Sequence, residues 1–293
     1  MKSTINFDVI SDTHIDFYLK NKKPKILSKE LEDFLVIFKE DKLSDNLLIA
    51  GDIGHVDETT EMVLKALKGL YNTVTITWGN HDRYLISNSI KKNSKYDSDL
   101  KIDKLRDICI KNDINFLDGN IIDVEGVKIA GSGFWYFLNK SDESQKIFER
   151  SNDSKLIFKG FFKNPPSIYG YQSSIKTKWD IKKSNELYFK ELKKFEEFIG
   201  KDIDILMSHV GLFKPTLSEG VQLRKWDTDE MYYANNKRLL LDINPSFYIY
   251  GHTHAYCEYK IQNTNVLCNP LGYPGENAFP RLRQIQFKKT REI

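Results

Sequence analysis

The stretch Val74-Thr75-Ile76-Thr77-Trp78-Gly79-Asn80-His81-Asp82 decides how the rest of the chain is read. It opens as a short apolar run rich in β-branched residues, the composition of a buried strand. It then breaks at a glycine and delivers an amide, an imidazole and a carboxylate in consecutive positions. Loops leaving the ends of buried strands are where α/β sheets place their chemistry. The same grammar returns elsewhere. Ile5 to Ile10 runs into Asp12-Thr13-His14, and Leu47 to Ala50 into Gly51-Asp52. Ile203 to Met207 runs into Ser208-His209, and Phe247 to Tyr250 into Gly251-His252-Thr253-His254.

Amphipathic runs separate these strands. Helices are expected near Ser28 to Glu40, after a cap at Asp57 or Thr59, and near Asp99 to Lys111. Another is expected from Ser184 to Ile199, with Leu187, Leu192, Phe195 and Ile199 inward. Asn115 to Leu117, Val127 to Ala130, Thr264 to Leu267 and Gln284 to Phe287 read as further strands. Alternation early and strands late make this an α/β chain of packed sheets with outer helices. No internal repeat interrupts it, and 293 residues fit one domain, here residues 1–293.

The loop residues are a ligand set. A pair of transition ions is held by neutral imidazoles, carboxylates and an amide oxygen. The loops supply His14, His209, His252 and His254, then Asp12 and Asp52, then Asn80. A carboxylate has two oxygens and can bridge two cations. Asp52 stands alone on its turn, which makes it the natural bridge. Two dications against two carboxylates and one hydroxide leave a positive site that attracts a phosphate ester.

In this order, from Asp12 to His254, the motifs D-x-H, G-D, G-N-H-D, a further His and G-H-x-H resemble the calcineurin-like metallophosphoesterase family. The resemblance implies a four-layer α-β-β-α sandwich of two mixed β-sheets flanked by helices. It implies Asp12, His14, Asp52 and His254 at one metal, and Asp52, Asn80, His209 and His252 at a second. Manganese, iron and zinc all suit such ligands. A hydroxide bridging the ions is implied as the in-line nucleophile. His81 is implied as the acid that protonates the leaving oxygen, with Asp82 holding its ring, and Asn80 also touches the substrate phosphate.

The activity so implied is metal-dependent hydrolysis of phosphate esters, by a phosphodiesterase or a broad-specificity phosphoesterase. Gly-Asn-His-Asp with Gly-His-Thr-His resembles the cyclic nucleotide and broad phosphodiesterase branches more than the protein phosphatases, which usually carry Gly-Asn-His-Glu. A nuclease and a protein phosphatase are the alternatives within the chemistry. A non-catalytic scaffold is disfavoured by the complete ligand set. Substrates are therefore phosphorylated small molecules, nucleotides or other phosphoesters, with nucleic acid left open.

Composition is compatible with all of these. The net charge of +3 neither demands nor excludes nucleic acid. No apolar run is long enough to span a bilayer. Met1-Lys2-Ser3-Thr4 leads straight into a strand, so a cytoplasmic location is expected. Three cysteines argue for a reducing compartment, with Cys109 in the core and a Cys257–Cys268 bond left open.

Three features lie outside the motifs. His55 follows Asp52 closely but matches no family position, and is read as a neighbouring or surface residue whose loss leaves turnover nearly unchanged. Residues 134–182 are irregular and mix aromatics such as Trp135, Tyr136, Tyr169 and Tyr171 with lysines. They are either a substrate-selecting cap or a locally packed excursion. Asn269-Pro270-Leu271-Gly272-Tyr273-Pro274-Gly275-Glu276 reads as a turn that braces the last strand, with Tyr273 near the metal rim.

Overall fold

A computed structural model of the chain describes residues 3–21, 23–163, 174–215, 230–277 and 282–289. The N-terminal half follows the alternation expected of it. Strands β1 (Ser3–Ile10), β2 (Asn46–Ala50), β3 (Thr73–Thr77) and β4 (Asn115–Leu117) are connected through α1 (Pro24–Glu40), α2 (Asp57–Leu70), the short α3 (Asn88–Asn93) and α4 (Ser98–Lys111). These four strands are parallel neighbours in one sheet. Its other edge is closed by β13 (Arg283–Lys289), antiparallel to β1.

The second sheet is built from β5 (Asn120–Val124), β6 (Val127–Gly131), β9 (Ile205–Met207), β10 (Phe247–Tyr250), β11 (Cys257–Ile261) and β12 (Thr264–Cys268), in the order β11-β12-β10-β9-β6-β5. Its four central strands are parallel and its two edge pairs antiparallel. Between β6 and β9 the chain forms α5 (Asp142–Arg150), α6 (Asn152–Leu156), the hairpin β7 (Phe158–Lys163) and β8 (Ser174–Lys178), and α7 (Ile181–Glu196). A last helix, α8 (Lys237–Ile243), precedes β10.

Side-chain alternation shows why the two sheets stack. Leu48 and Ala50 of β2 join Ile205 and Met207 of β9 and Ile249 of β10 in one buried cluster. Their neighbours Leu47, Ile49, Leu206, Tyr248 and Tyr250 belong to the cluster that includes the inward faces of the helices. A period of two sends alternate residues to opposite faces, so each sheet carries one face to its partner and the other to helices. The result is a four-layer α-β-β-α sandwich.

Several local expectations change. Val56, not Asp57 or Thr59, precedes α2, and no side chain caps that helix. Helix α7 begins earlier than expected because Asp180 accepts the Lys183 amide and caps it. Its last turn ends before Ile199, which is 45 % exposed rather than inward. All three cysteines are free and buried, with Cys257 opposite Cys268 across the β11–β12 ladder. No described helix is long and apolar enough to cross a membrane.

Candidate metal centre

Five parallel strand ends deliver the ligand residues to one place. Asp12 and His14 follow β1, Asp52 follows β2, Asn80 follows β3, His209 follows β9, and His252 and His254 follow β10. Ligand atoms of Asp12, His14, Asp52 and His254 all lie within 4.8 Å of one another, as do those of Asp52, His209 and His252. Asp52 belongs to both groups, the position of a bridge. Asn80 Oδ1 completes the second group at 3.1 Å from His209 Nε2.

The backbone is bent to achieve this. Asp12, His14, Asp52, His252 and His254, five of the seven expected ligands, have left-handed φ between 41° and 72°. Such a conformation costs an L-residue roughly 1–2 kcal/mol, and is least costly for short polar side chains. Strain of this kind collects at functional sites, where the surrounding structure enforces it. Two glycines make the crowding bearable. A Cβ on Gly79 would sit 2.1 Å from Asp52 Oδ1, and one on Gly51 would sit 2.5 Å from His209 Nδ1.

The lone pairs themselves test whether a cation fits. His209 Nδ1 is 2.9 Å from the Ala50 carbonyl, so that nitrogen carries the hydrogen and donates it. His209 Nε2 then faces Asp52 Oδ2 at 3.2 Å and Asn80 Oδ1 at 3.1 Å, acceptor against acceptors. On the other side His254 Nδ1 donates to Glu276 Oε2 at 2.7 Å. Its Nε2 is left 2.8 Å from His14 Nε2, and His14 Nδ1 has no partner. A proton or a metal ion relieves the confrontation at His209, whereas a hydrogen on His14 Nε2 satisfies its contact with His254. The titration behaviour agrees. Burial works against the charged form of His209, yet Asp52 and Asp12 outweigh it and lift the ring to about 9. Burial holds His252 down to about 3 and lowers His14 strongly. The Asp52 carboxylate thus favours positive charge at the His209 ring it faces. The donor set fits transition or divalent metal ions.

Outer contacts fix the ligands. Asp12 accepts the Ser11 hydroxyl at 2.5 Å and the His252 amide at 2.8 Å. Asp52 Oδ1 accepts the His81 amide at 2.8 Å, which leaves Oδ2 for the ions. The Asn80 amide nitrogen donates to Tyr84 Oη at 2.9 Å and to Asp153 Oδ1 at 3.0 Å, so its oxygen must face His209. Asp153 also accepts the Tyr84 and Tyr136 hydroxyls, each at 2.5 Å.

The expected pairing of Asp82 with the His81 ring is not formed. Asp82 Oδ1 accepts the Ile53 and Gly54 amides and Oδ2 the Gly79 amide, which ties the second and third loops together. Burial and the nearby Asp52 raise its carboxyl to about 6. His81 Nδ1 instead meets His55 Nε2 at 2.8 Å. His55, read from sequence as a neighbouring or surface residue, is buried beside the site. Its spacing of three residues after Asp52, on the same loop, was the available signal.

The centre floors a cavity of about 490 Å³ whose walls include Tyr84, Arg150, Asp153, Tyr232, Tyr273 and Glu276. Residues 134–182 therefore contribute to it, though among the described residues none of the expected aromatics lines it. Phe134, Trp135 and Tyr136 are fully buried. Phe134 packs on Phe195 at 4.6 Å, and Trp135 stacks on Tyr136 at 4.8 Å and donates to Ser184. Tyr169 and Tyr171 lie outside the described residues. The segment Asn269–Glu276, expected to brace the last strand with Tyr273 near the metal rim, packs against the first loop and brings Tyr273 to that rim. Its Leu271 and Gly272 amides donate to Ser11 and Asp12, and Tyr273 stacks on His14 at 4.6 Å.

Comparison with known proteins agrees with this geometry. The family described as Calcineurin-like phosphoesterase matches residues 5–256. The uncharacterized protein L509 of Acanthamoeba polyphaga mimivirus is 23 % identical over 277 residues, 91 % of each chain. The crystal structure of the phosphopantetheinyl hydrolase PptH from Mycobacterium tuberculosis superposes with a TM-score of 0.61 over 97 % of each chain, at 14 % identity. The calcineurin-like phosphoesterase YfkN from Bacillus subtilis aligns over all of this chain and 87 % of its own, at 13 % identity and a TM-score of 0.43. This chain belongs to the calcineurin-like phosphoesterase family.

Proposed function

We propose that the chain is a two-metal phosphoesterase acting on small phosphorylated molecules, a phosphodiesterase or a broad-specificity enzyme. One observation carries the reading: seven ligand side chains converge beside one cavity, and four of them, Asp52, Asn80, His252 and His254, line it. Asp12, His14, Asp52 and His254 would hold one ion, and Asp52, Asn80, His209 and His252 the other. When bound, such ions act as Lewis acids that activate water and neutralise phosphoryl oxygens.

The remaining steps belong to the protein. Asn80, held by Asp153 and Tyr84, and His81 orient the phosphoryl group. His81 Nε2, without a protein partner among the described residues, is free to meet the leaving oxygen. As the P–O bond breaks, its electron pair stays on that oxygen and the His81 proton follows it.

A cavity of about 490 Å³ is the size of a nucleotide or cofactor fragment. Burial of Phe134, Trp135 and Tyr136 takes these three rings out of reach of a substrate, which weighs against the nuclease reading. Among the described residues of 134–182, the α5–α6 corner with Arg150 and Asp153 lies at the wall. The test is a panel of phosphomonoesters, phosphodiesters, cyclic nucleotides, single-stranded nucleic acid and phosphopeptides, run with manganese, iron and zinc. The structural neighbour PptH, a phosphopantetheinyl hydrolase, adds a phosphopantetheinyl ester to it. Metal-dependent turnover of small esters is expected. Turnover of nucleic acid or phosphopeptides alone would overturn the substrate assignment, and no turnover of any ester with any metal would overturn the activity.

A further inference from the structure

We propose that Asp16 and His55 are positioning residues for His81, holding its Nδ1 inward so that Nε2 faces the substrate. This rests on the reading of His81 as the leaving-group acid.

The geometry is a chain of three side chains. His81 Nδ1 is 2.8 Å from His55 Nε2, and His55 Nδ1 is 3.3 Å from Asp16 Oδ2. Asp16 Oδ2 also accepts the backbone N–H of His55, so one carboxylate grips that residue at ring and backbone. The site is built to accommodate it. A Cβ on Gly54 would lie 2.7 Å from Ile15 Cγ1 and 3.0 Å from Asp16 Oδ2, so only a glycine leaves the loop room beside that carboxylate. Tyr84 stacks on His55 at 5.8 Å with the rings 8° from parallel, and packs at a tilt of 37° on His81 at 4.4 Å. Phe17 packs its edge against His55 at 5.9 Å. Asp82, the other carboxylate near His81, is occupied by three backbone amides.

Proton accounting gives the pair its purpose. An ionised carboxylate only accepts, so His55 Nδ1 carries a hydrogen toward Asp16. One further proton lies between His55 Nε2 and His81 Nδ1. A third, on His81 Nε2, points to the cavity. Before transfer the two rings together carry one positive charge, opposite the single negative charge of Asp16. When the Nε2 proton passes to the leaving oxygen, the shared proton stays with His81 Nδ1 and both rings end neutral. The charge is thus spread over a ring that lies one step farther from the metal ligands than His81 does.

The test compares His55→Ala, His55→Gln and Asp16→Asn with His81→Ala in the metal-loaded full chain. An alkyl phosphodiester and a nitrophenyl ester are the substrates, in single-turnover runs where chemistry is observed. His55→Ala is expected to lose roughly 10–100-fold on the alkyl ester and clearly less on the nitrophenyl ester, whose leaving group needs no proton. His55→Gln, which keeps a hydrogen-bonding atom near the lost Nε2, recovers part of that loss, and Asp16→Asn falls between. Metal content and unfolding temperature stay near wild type in all three. In 15N-histidine-labelled, zinc-loaded protein, the His81 Nδ1 resonance moves on His55→Ala. Equal losses on both esters, or an unmoved resonance, would overturn the positioning role. If His81→Ala itself shows no leaving-group dependence, the failure lies with the acid assignment. If His81→Ala shows it and His55→Ala does not, the positioning role alone fails.

Discussion

The two halves of the metal centre use the same ligand chemistry and are supported in different ways. Around Asn80, His209 and His252 the backing is buried and comes from within the sandwich: the Ala50 carbonyl, Tyr84, and Asp153 with its two tyrosines. Around His14 and His254 it comes from the segment after β12, where Glu276 holds His254 and Tyr273 covers His14. The His209 side chain is fully buried, whereas that of His254 is 13 % exposed. One half is locked from behind, the other closed by a late flap of chain. The half around Asn80, His209 and His252 should therefore be the less forgiving of outer-sphere changes.

The widest effect belongs to the residue both halves share. Asp52→Asn is expected to weaken binding of both ions and to reduce turnover beyond the roughly 10–100-fold of an outer-shell change. Metal analysis of the purified variant decides it, and two ions per chain with wild-type retention would sink the bridge. Next comes Asp153→Asn, which loosens the Asn80 amide. Second-ion affinity should fall by roughly 10–100-fold with the first ion retained, as stepwise titration with zinc would show. Glu276→Gln should be milder, under about 10-fold and confined to the first ion, because water can replace a partner at an exposed ring. If Glu276→Gln costs more than Asp153→Asn, the contrast between the halves is wrong.

The smallest effect is a stability difference at the rim of the first half. There Glu258 on β11 pairs with Arg283 on β13 at 2.9 Å and joins the two sheets. Hydrogen bonds from Arg283 hold the Glu258 carboxyl below its usual range. Its contribution is therefore present above the unfolded value of about 4.3 and lost as pH falls through the lower folded value. Glu258→Gln should lower the melting temperature slightly at neutral pH, and the gap to wild type should close on acidification. A gap that persists in acid would show that the pair contributes through packing.

What the sequence made legible was whatever lies within a few residues of a strand end. Val74 to Asp82 announced strand, turn and ligand in one breath, and the four comparable stretches did the same. The sandwich followed once the alternation was read. What stayed hidden was the support, because it is recruited from far along the chain. Asp153 is 73 residues from the Asn80 it holds, and His55 is 26 from His81. Composition left two readings open where it was richest. At 134–136 the packed one holds and the aromatics are interior, because a polar tip such as Tyr136 Oη can reach a buried carboxylate while its ring packs. Asp82 misled by adjacency. Next-door residues in a tight turn point apart, and its carboxylate finds backbone amides instead.

The left-handed backbone at Asp12, His14, Asp52, His252 and His254 has a consequence for how the site tolerates change over evolutionary time. Aspartate, asparagine and histidine are the side chains that bear this conformation best, glycine aside. They are also the ones whose short reach suits ions held this close to the main chain. Glutamate keeps the charge but fits the bend poorly, and alanine keeps neither. Drift at these five positions is thus channelled into a narrow alphabet. Exchanges among aspartate, asparagine and histidine would retune which ions are preferred without unfolding the loops, so descendants of this chain could change metals more easily than they could abandon them.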